Sequence, residues 1–246
     1  MSAAFLGRKH PLVLAVAACF LFPAQGFAQL EEVIVTAQKR SESVQDVPIA
    51  ITAFDEDAMR ERQIVGFGDM RFSAPNVNYS KGNFTGNNFQ IRGVGTNLVA
   101  ASADSGVGVH INEVPIFSPR LFETEYYDVA QVAVLRGPQG TLYGRNSTGG
   151  AVNMITRTAH ADAVEGNLEG QYGNYDHKKV LGYVNIPLGD AFAARFAGLW
   201  LERDGYTENL FTGNDIDGRD QYSLRASFNW TGENTTADLM ISYFDE

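Results

Sequence analysis

The chain is short of the residues that build covalent and metal chemistry. It has one cysteine, Cys19, in 246 residues, which excludes a disulfide framework and a cysteine-based zinc site. Its four histidines (His10, His110, His160, His177) are scattered, with no ligand spacing. Basic residues are scarce too: 19 Lys and Arg stand against 29 Asp and Glu, a formal net charge of −10. Binding a phosphate backbone needs surplus cations, so no nucleic-acid partner is expected. Proline is low at 8, and 25 glycines follow no collagen period. Catalytic signatures are missing as well. There is no Gly-x-Ser-x-Gly elbow and no His-Glu-x-x-His. Gly144–Gly149 has the spacing of a phosphate loop, but Gly150-Ala151 stands where Lys-Ser/Thr is required. Gly93-Val94-Gly95 and Gly106-Val107-Gly108 lack the third glycine of a dinucleotide loop. Asp215–Gly218 is similar to a calcium loop, yet Gly213 and Leu224 fill its first and twelfth ligand positions. No enzyme, cofactor or metal site is expected.

What is present begins with an address. Arg8 and Lys9 precede the apolar run Pro11–Phe22, and Gly26-Phe27-Ala28 offers small residues at a cleavage site. The run has 12 residues, too few for a bilayer core of about 30 Å. Residues 1–28 therefore read as a secretory signal peptide cleaved near Ala28. Val16-Ala17-Ala18-Cys19 resembles a lipoprotein processing box, but Phe20-Leu21-Phe22 continues the apolar run where a polar tether belongs.

Beyond Ala28 the charge is uneven. Residues 160–246 hold 6 basic and 15 acidic residues, whereas 29–159 hold 11 and 14. From about 165 the sequence alternates with period two. Tyr222, Leu224, Ala226, Phe228 and Trp230 share one face, opposite Ser223, Arg225, Ser227 and Asn229. Strands are predicted near 164–173, 178–187, 191–203, 219–230 and 235–244. Several reach the 9–11 residues that cross a bilayer at a tilt. The connection 204–218 is long and acidic, the others short, as in an outer-membrane barrel; a soluble β-sandwich alternates in the same way. Residues 45–159 read as mixed α and β: a strand at 48–54, a helical stretch over 54–70 with Asp55, Glu56 and Asp57 in its first turn, and strand-like runs at 106–114 and 129–136.

Just after the cleavage site, Glu31-Glu32-Val33-Ile34-Val35-Thr36-Ala37 is a β-forming segment between charged flanks. Such a peptide adds as a strand to a partner's sheet edge, or serves as the first strand of a local sheet. It resembles the TonB box of TonB-dependent outer-membrane receptors. Phe89–Gly95 is similar to the first signature of the family's plug domain. Asp128–Thr156, with Leu135-Arg136-Gly137-Pro138 and Gly144 to Gly150 inside it, is similar to its long plug signature.

The resemblance implies an α+β plug domain followed by antiparallel strands of an incomplete outer-membrane β-barrel: 29–44 as box and linker, 45–159 as plug, 160–246 as about five barrel strands. It implies energised import of a scarce ligand (siderophore-iron, a vitamin or an oligosaccharide) across the outer membrane. The partners implied are a TonB-type periplasmic energy-coupling protein gripping Glu32, Val33, Ile34, Val35, Thr36 and Ala37, outer-membrane lipid, and a small-molecule ligand such as a ferric siderophore. Within the plug signature, Gly93, Gly137, Pro138, Gly140, Tyr143, Gly144, Gly149 and Gly150 are expected in turns and close packing, and Arg92 and Arg136 in salt bridges to barrel-wall carboxylates. Tyr79, Asn83 and Phe84 in the loop 76–88 are candidate ligand contacts. Twenty-two strands of about ten residues need on the order of 500 residues, so the sequence reads as a truncated receptor that forms no channel alone. The alternative is a secreted plug-only interaction protein that binds the coupling protein without transporting.

Overall fold

The computed structural model describes residues 34–35, 42–43, 45, 47–81, 87–95, 104–116 and 123–245. The leader 1–28, and Glu32, Val33, Thr36, Ala37, Asn83 and Phe84, lie outside the described residues. The segment expected to be the box contributes β1 (Ile34–Val35), which pairs antiparallel with β2 (Glu42–Ser43) over two residues.

The chain then runs through β3 (Ala50–Asp55), α1 (Glu56–Glu61), a 3-10 turn at Phe67–Asp69, α2 (Met70–Ser73), β4 (Val77–Lys81) and β5 (Asn87–Ile91). It continues with β6 (Val107–Ile111), β7 (Val114–Pro115), β8 (Val129–Arg136), α3 (Gly140–Tyr143) and β9 (Gly150–Thr156). The helical stretch expected over 54–70 is not one helix. Asp55 is the N-cap rather than a first-turn residue, its carboxylate accepting the Ala58 amide at 2.8 Å. Gln63, at φ +53°, turns the chain out of the helix, and Asp69 accepts the amides of Val65 and Gly66. Breaking the helix lets Met59, Ile64, Phe67 and Met70 all reach the core.

Five strands form one sheet in the order β3-β8-β9-β6-β7. Only β6 and β9 run parallel; the other neighbours are antiparallel. Alternation along β8 loads both faces. Val132 and Val134 join Phe54, Phe67 and Met70 on one side, while Ala133 and Leu135 join Val47 and Tyr143 on the other. β8 and β9 are therefore the buried spine, and β3 is an edge strand with a single neighbour among the described residues.

A second sheet follows: β10 (Glu165–Gly173), β11 (His177–Pro187), β12 (Phe192–Arg203), β13 (Thr207–Glu208), β14 (Asp215–Ile216), β15 (Arg219–Thr231) and β16 (Thr236–Asp245). The order β10-β11-β12-β15-β16 is antiparallel throughout, and β13–β14 form a small hairpin in the long connection. The five runs read from the alternation are strands, each within a residue of its expected bounds. Their burial is inverted relative to a soluble protein. Phe196, Trp200, Leu224, Ile241 and Tyr243 are 37–58% exposed, while Asn185, Arg195, Gln221 and Ser223 on the opposite face are 2% or less. Apolar out and polar in is the pattern of a barrel wall in lipid, which resolves the sandwich alternative. Among the described residues no helix is long and apolar enough to cross a membrane, a fact that leaves strands free to do so.

Candidate functional site

The polar face of the wall is not empty. It grips the segment that leads into β8. Arg195, at the inner face of β12 and 1% exposed, donates from Nη2 to Asp128 Oδ1 at 2.6 Å and from Nε to Asp128 Oδ2 at 2.9 Å. Its Nη1 donates to Glu165 on β10 at 2.8 Å, and its guanidinium lies 4.0 Å over the Tyr183 ring. A forked, charge-assisted pair of this kind fixes distance and orientation together. Lys179 on β11 donates to Glu125 at 2.7 Å, and Arg219 on β15 reaches the other Glu125 oxygen at 3.1 Å and the Glu123 carbonyl at 2.9 Å. Arg225 donates to the Asp128 carbonyl at 3.2 Å and stacks over Tyr127 at 4.5 Å. The peptide joining the two sheets is tied as well: Asn185 donates to the carbonyls of His160 and Ala163 and accepts from the His160 amide.

Among the described residues the seam has a polarity opposite to that expected at Arg92 and Arg136. Arg92 is exposed and Arg136 half-buried, and neither makes an ion pair among the described residues. The Arg136 Nε is buried without a hydrogen-bond partner. The cations of the seam sit on the wall and the carboxylates Glu125 and Asp128 on the plug. On the inward face of the wall Lys179, Arg195, Arg219 and Arg225 turn toward this acidic segment.

The two plug signatures do meet. Ile91 and Val94 pack over Gly150 and Gly149, where a side chain on either glycine would collide with them. Arg92 Nη1 comes to the open face of Gly137. Gly93 sits in the turn that closes Ile91 against Val94. Gly137 and Pro138 end β8, Gly140–Tyr143 make one helical turn, Gly144 caps it, and Gly149 leads into β9. Tyr143 stacks edge-on to the buried His110 at 4.8 Å. Of the candidate ligand contacts only Tyr79 is described. It is half-buried on β4, its ring against Gly68 and the core.

Four plug tyrosines are held neutral by burial. Desolvation, with Glu123 second, pushes Tyr79 up to about 12, and desolvation with Glu113 second does the same to Tyr143. Burial also raises Tyr126 and Tyr127. A phenol whose folded pKa exceeds its unfolded value of about 10 contributes stability that is complete below pH 10 and is lost as pH rises through the folded value. Urea unfolding should show the plug weaker at pH 11.5 than at pH 9, by on the order of 1 kcal/mol per half-buried tyrosine after solvent screening. Equal stability at the two values would contradict this.

Residues 43–151 match the model of the TonB-dependent receptor plug domain. The chain is 26% identical over 221 residues to an iron-regulated outer membrane virulence protein of Vibrio cholerae, covering 80% of this chain and 32% of that protein. It is 27% identical over 229 residues to a pesticin receptor of Yersinia pestis, covering 88% of this chain and 32% of the relative. A vitamin B12 transporter of Vibrio vulnificus is 24% identical over 241 residues, 87% of this chain and 37% of the relative. Among solved structures, the ferric yersiniabactin uptake receptor of Yersinia pestis superposes with a TM-score of 0.71 at 22% identity, over 79% of this chain and 31% of that one. The pyoverdine outer membrane receptor of Pseudomonas aeruginosa gives 0.70 at 17% identity, over 85% and 29%. The chain thus spans about a third of the length of the relatives it matches. Residues 43–151 thus carry a match to the TonB-dependent receptor plug domain, and the plug sheet gripped by the polar face of an outward-apolar wall is a fold that the chain shares with solved outer-membrane receptors.

Proposed function

We propose that the chain forms the gate of an energised importer: a plug that closes a barrel lumen and is shifted by a TonB-type coupling protein so that a scarce small molecule passes. A transport role without catalysis fits relatives named as receptors and a transporter. The observation that carries the reading is the inverted wall, with its polar face closed over Glu123–Asp128 while its apolar face is free for lipid.

The handle is the box. β1 holds β2 through a two-residue ladder, Ile34 to Ser43 and Val35 to Glu42. So short a pairing is marginal in water and exchanges readily for a longer ladder with a partner's edge strand. Glu32–Ala37 then supply the backbone, and the chain enters the plug at edge strand β3. The ligand class is siderophore-iron, a vitamin or an oligosaccharide, met at Tyr79 on β4 together with Asn83 and Phe84 of the sequence that follows it. The carboxylates that complete Arg92 and Arg136 belong to wall beyond β10–β16.

The test is Val35→Pro. It removes a ladder donor and fixes φ. In an intact receptor bearing this N-terminal sequence, energised uptake of a labelled ligand should fall to the level of a strain lacking the coupling protein, with ligand binding unchanged. Uptake equal to the parent's overturns the proposal. Capture of the coupling protein through Ile34 and Val35 with no uptake by any receptor form would favour the plug-only interaction protein.

A further inference from the structure

Tension drawn in through the box needs somewhere to stop. On the reading that the plug is displaced in this way, we propose that Arg195 is a positioning residue that pins Asp128 to the wall, so that release ends ahead of β8 and the β8–α3–β9 half stays in place.

The geometry divides the plug at that point. From the box, the chain first meets β3, an edge strand whose sole sheet neighbour among the described residues is β8, entered at the Ala50–Arg136 pair. Behind it come α1, α2 and the β4–β5 hairpin, none of which belongs to the central ladder. Asp128 is different. It immediately precedes β8, and its side chain is 3% exposed within the fork of Arg195. Its carbonyl accepts both from Arg225 and from the amide of Arg157, the residue that follows β9. One residue thus ties the start of β8, the end of β9 and two wall strands. Its φ of +52° holds the carboxylate and the carbonyl toward these separate donors.

Arg195 is itself fixed before it meets the plug. Glu165 on the neighbouring strand takes Nη1, and the Tyr183 ring backs the guanidinium. The titratable groups around the pair are Glu165, Tyr183 and Arg225, with His160 3.1 Å from Glu165. Lys179 and Arg219 hold Glu125 three residues upstream, so the load on Asp128 is shared along a short segment rather than borne by one bond. By contrast Glu56 on α1 binds Arg157 within the plug, an exposed pair that yields far more cheaply than a buried one.

The experiment is amide hydrogen exchange of the full chain in detergent micelles at rising sub-denaturing urea. Peptides from 50–81 should exchange together at lower urea than peptides from 129–156, as two cooperative units. Arg195→Gln leaves Asp128 buried without its partner, a loss large enough to raise exchange in 129–156 by about a hundredfold or more and merge the two units. Asp128→Asn should do the same, and the double variant should be no worse than either, the signature of one shared interaction. Arg195→Lys, which keeps the charge but not the fork, should fall between. Leu199→Ala, on the same strand and equally buried, should weaken the fold without that non-additivity. Exchange of the whole plug as a single unit in the parent, or protection of 129–156 unaltered by Arg195→Gln, overturns the proposal. No coupling protein enters the measurement, so such a result removes the stop and leaves the uptake test of Val35→Pro to stand or fall alone.

Discussion

Gly150→Ala should cost the plug about 3–5 kcal/mol, the range reserved for substitutions that force the backbone itself to move. Gly150 opens β9 at φ +151°, a conformation that residues with a β-carbon rarely adopt, and it pairs with Arg136 across the central ladder. An added methyl would overlap the Leu135 carbonyl oxygen and stand 2.9 Å from Ile91 Cδ1. Leu135, Ile91 and Ala151 have no exposed surface, so no neighbour can step aside into solvent. A domain stable by about 5–15 kcal/mol would lose a large part of its margin. Gly140→Ala is the matched control. It lies in α3 with nothing within 4 Å of the new carbon, and it should be neutral or stabilising by up to about 1 kcal/mol. The readout separates the parts of the chain, because both tryptophans, Trp200 and Trp230, lie in the wall. Their fluorescence follows the wall, while amide exchange of 129–156 follows the plug. Equal plug protection in the Gly150→Ala and Gly140→Ala chains would contradict the argument.

The wall was the most legible part of the sequence, for a physical reason. A strand between lipid and a polar interior keeps its outward positions apolar at period two, even where small or apolar residues such as Ala193 and Leu199 also face inward. The run at 219–230 is therefore Arg219–Thr231, and that at 164–173 is Glu165–Gly173. Alternation alone gives two faces without saying which is covered. The structure supplies that through Glu123–Asp128 lying on Arg195 and Lys179. The plug was read less well where several short elements share one core. Met59, Ile64, Phe67 and Met70 are spaced closely enough to mimic one amphipathic helix. The left-handed Gln63 and the Asp69 side chain break that run into pieces.

Among the described residues the seam is built from cations other than Arg92 and Arg136, the arginines of the plug signatures. A signal was present. Within a segment of net −9, five of the six basic residues (Lys179, Arg195, Arg203, Arg219 and Arg225) sit on the polar side of the alternation, where a cation needs a partner. Reading the sign of the inward charges, rather than the net charge of the segment, would have pointed to an acidic plug segment such as Glu123–Asp128. The glycines at 149 and 150 were legible as turn and packing residues. That they receive Val94 and Ile91 of the first signature, and so join the two signatures into one contact, needed the three-dimensional fold.

Leu224→Arg should destabilise the wall by about 2–4 kcal/mol in a bilayer, the cost of a cation at the lipid midplane of a barrel. Leu224 lies at the centre of β15, in the cross-strand row Leu168, Gly182, Gly198, Leu224, Tyr243 on the outward face. Its exposure is 44%, and its outer surface meets no other part of the protein. In water an exposed leucine exchanged for arginine is close to neutral, so the penalty measures the solvent that the face is built for. Leu188→Arg, at the β11–β12 turn where the wall leaves the lipid, should cost only about 0–1 kcal/mol. Guanidinium unfolding of the chain reconstituted in phospholipid vesicles, followed by the fluorescence of Trp200 and Trp230, gives both values. A cost that is equal at Leu224 and Leu188, or near zero at both, would mean that the apolar face does not meet lipid. The inverted alternation would then need another explanation, and the gate reading would lose the wall it rests on.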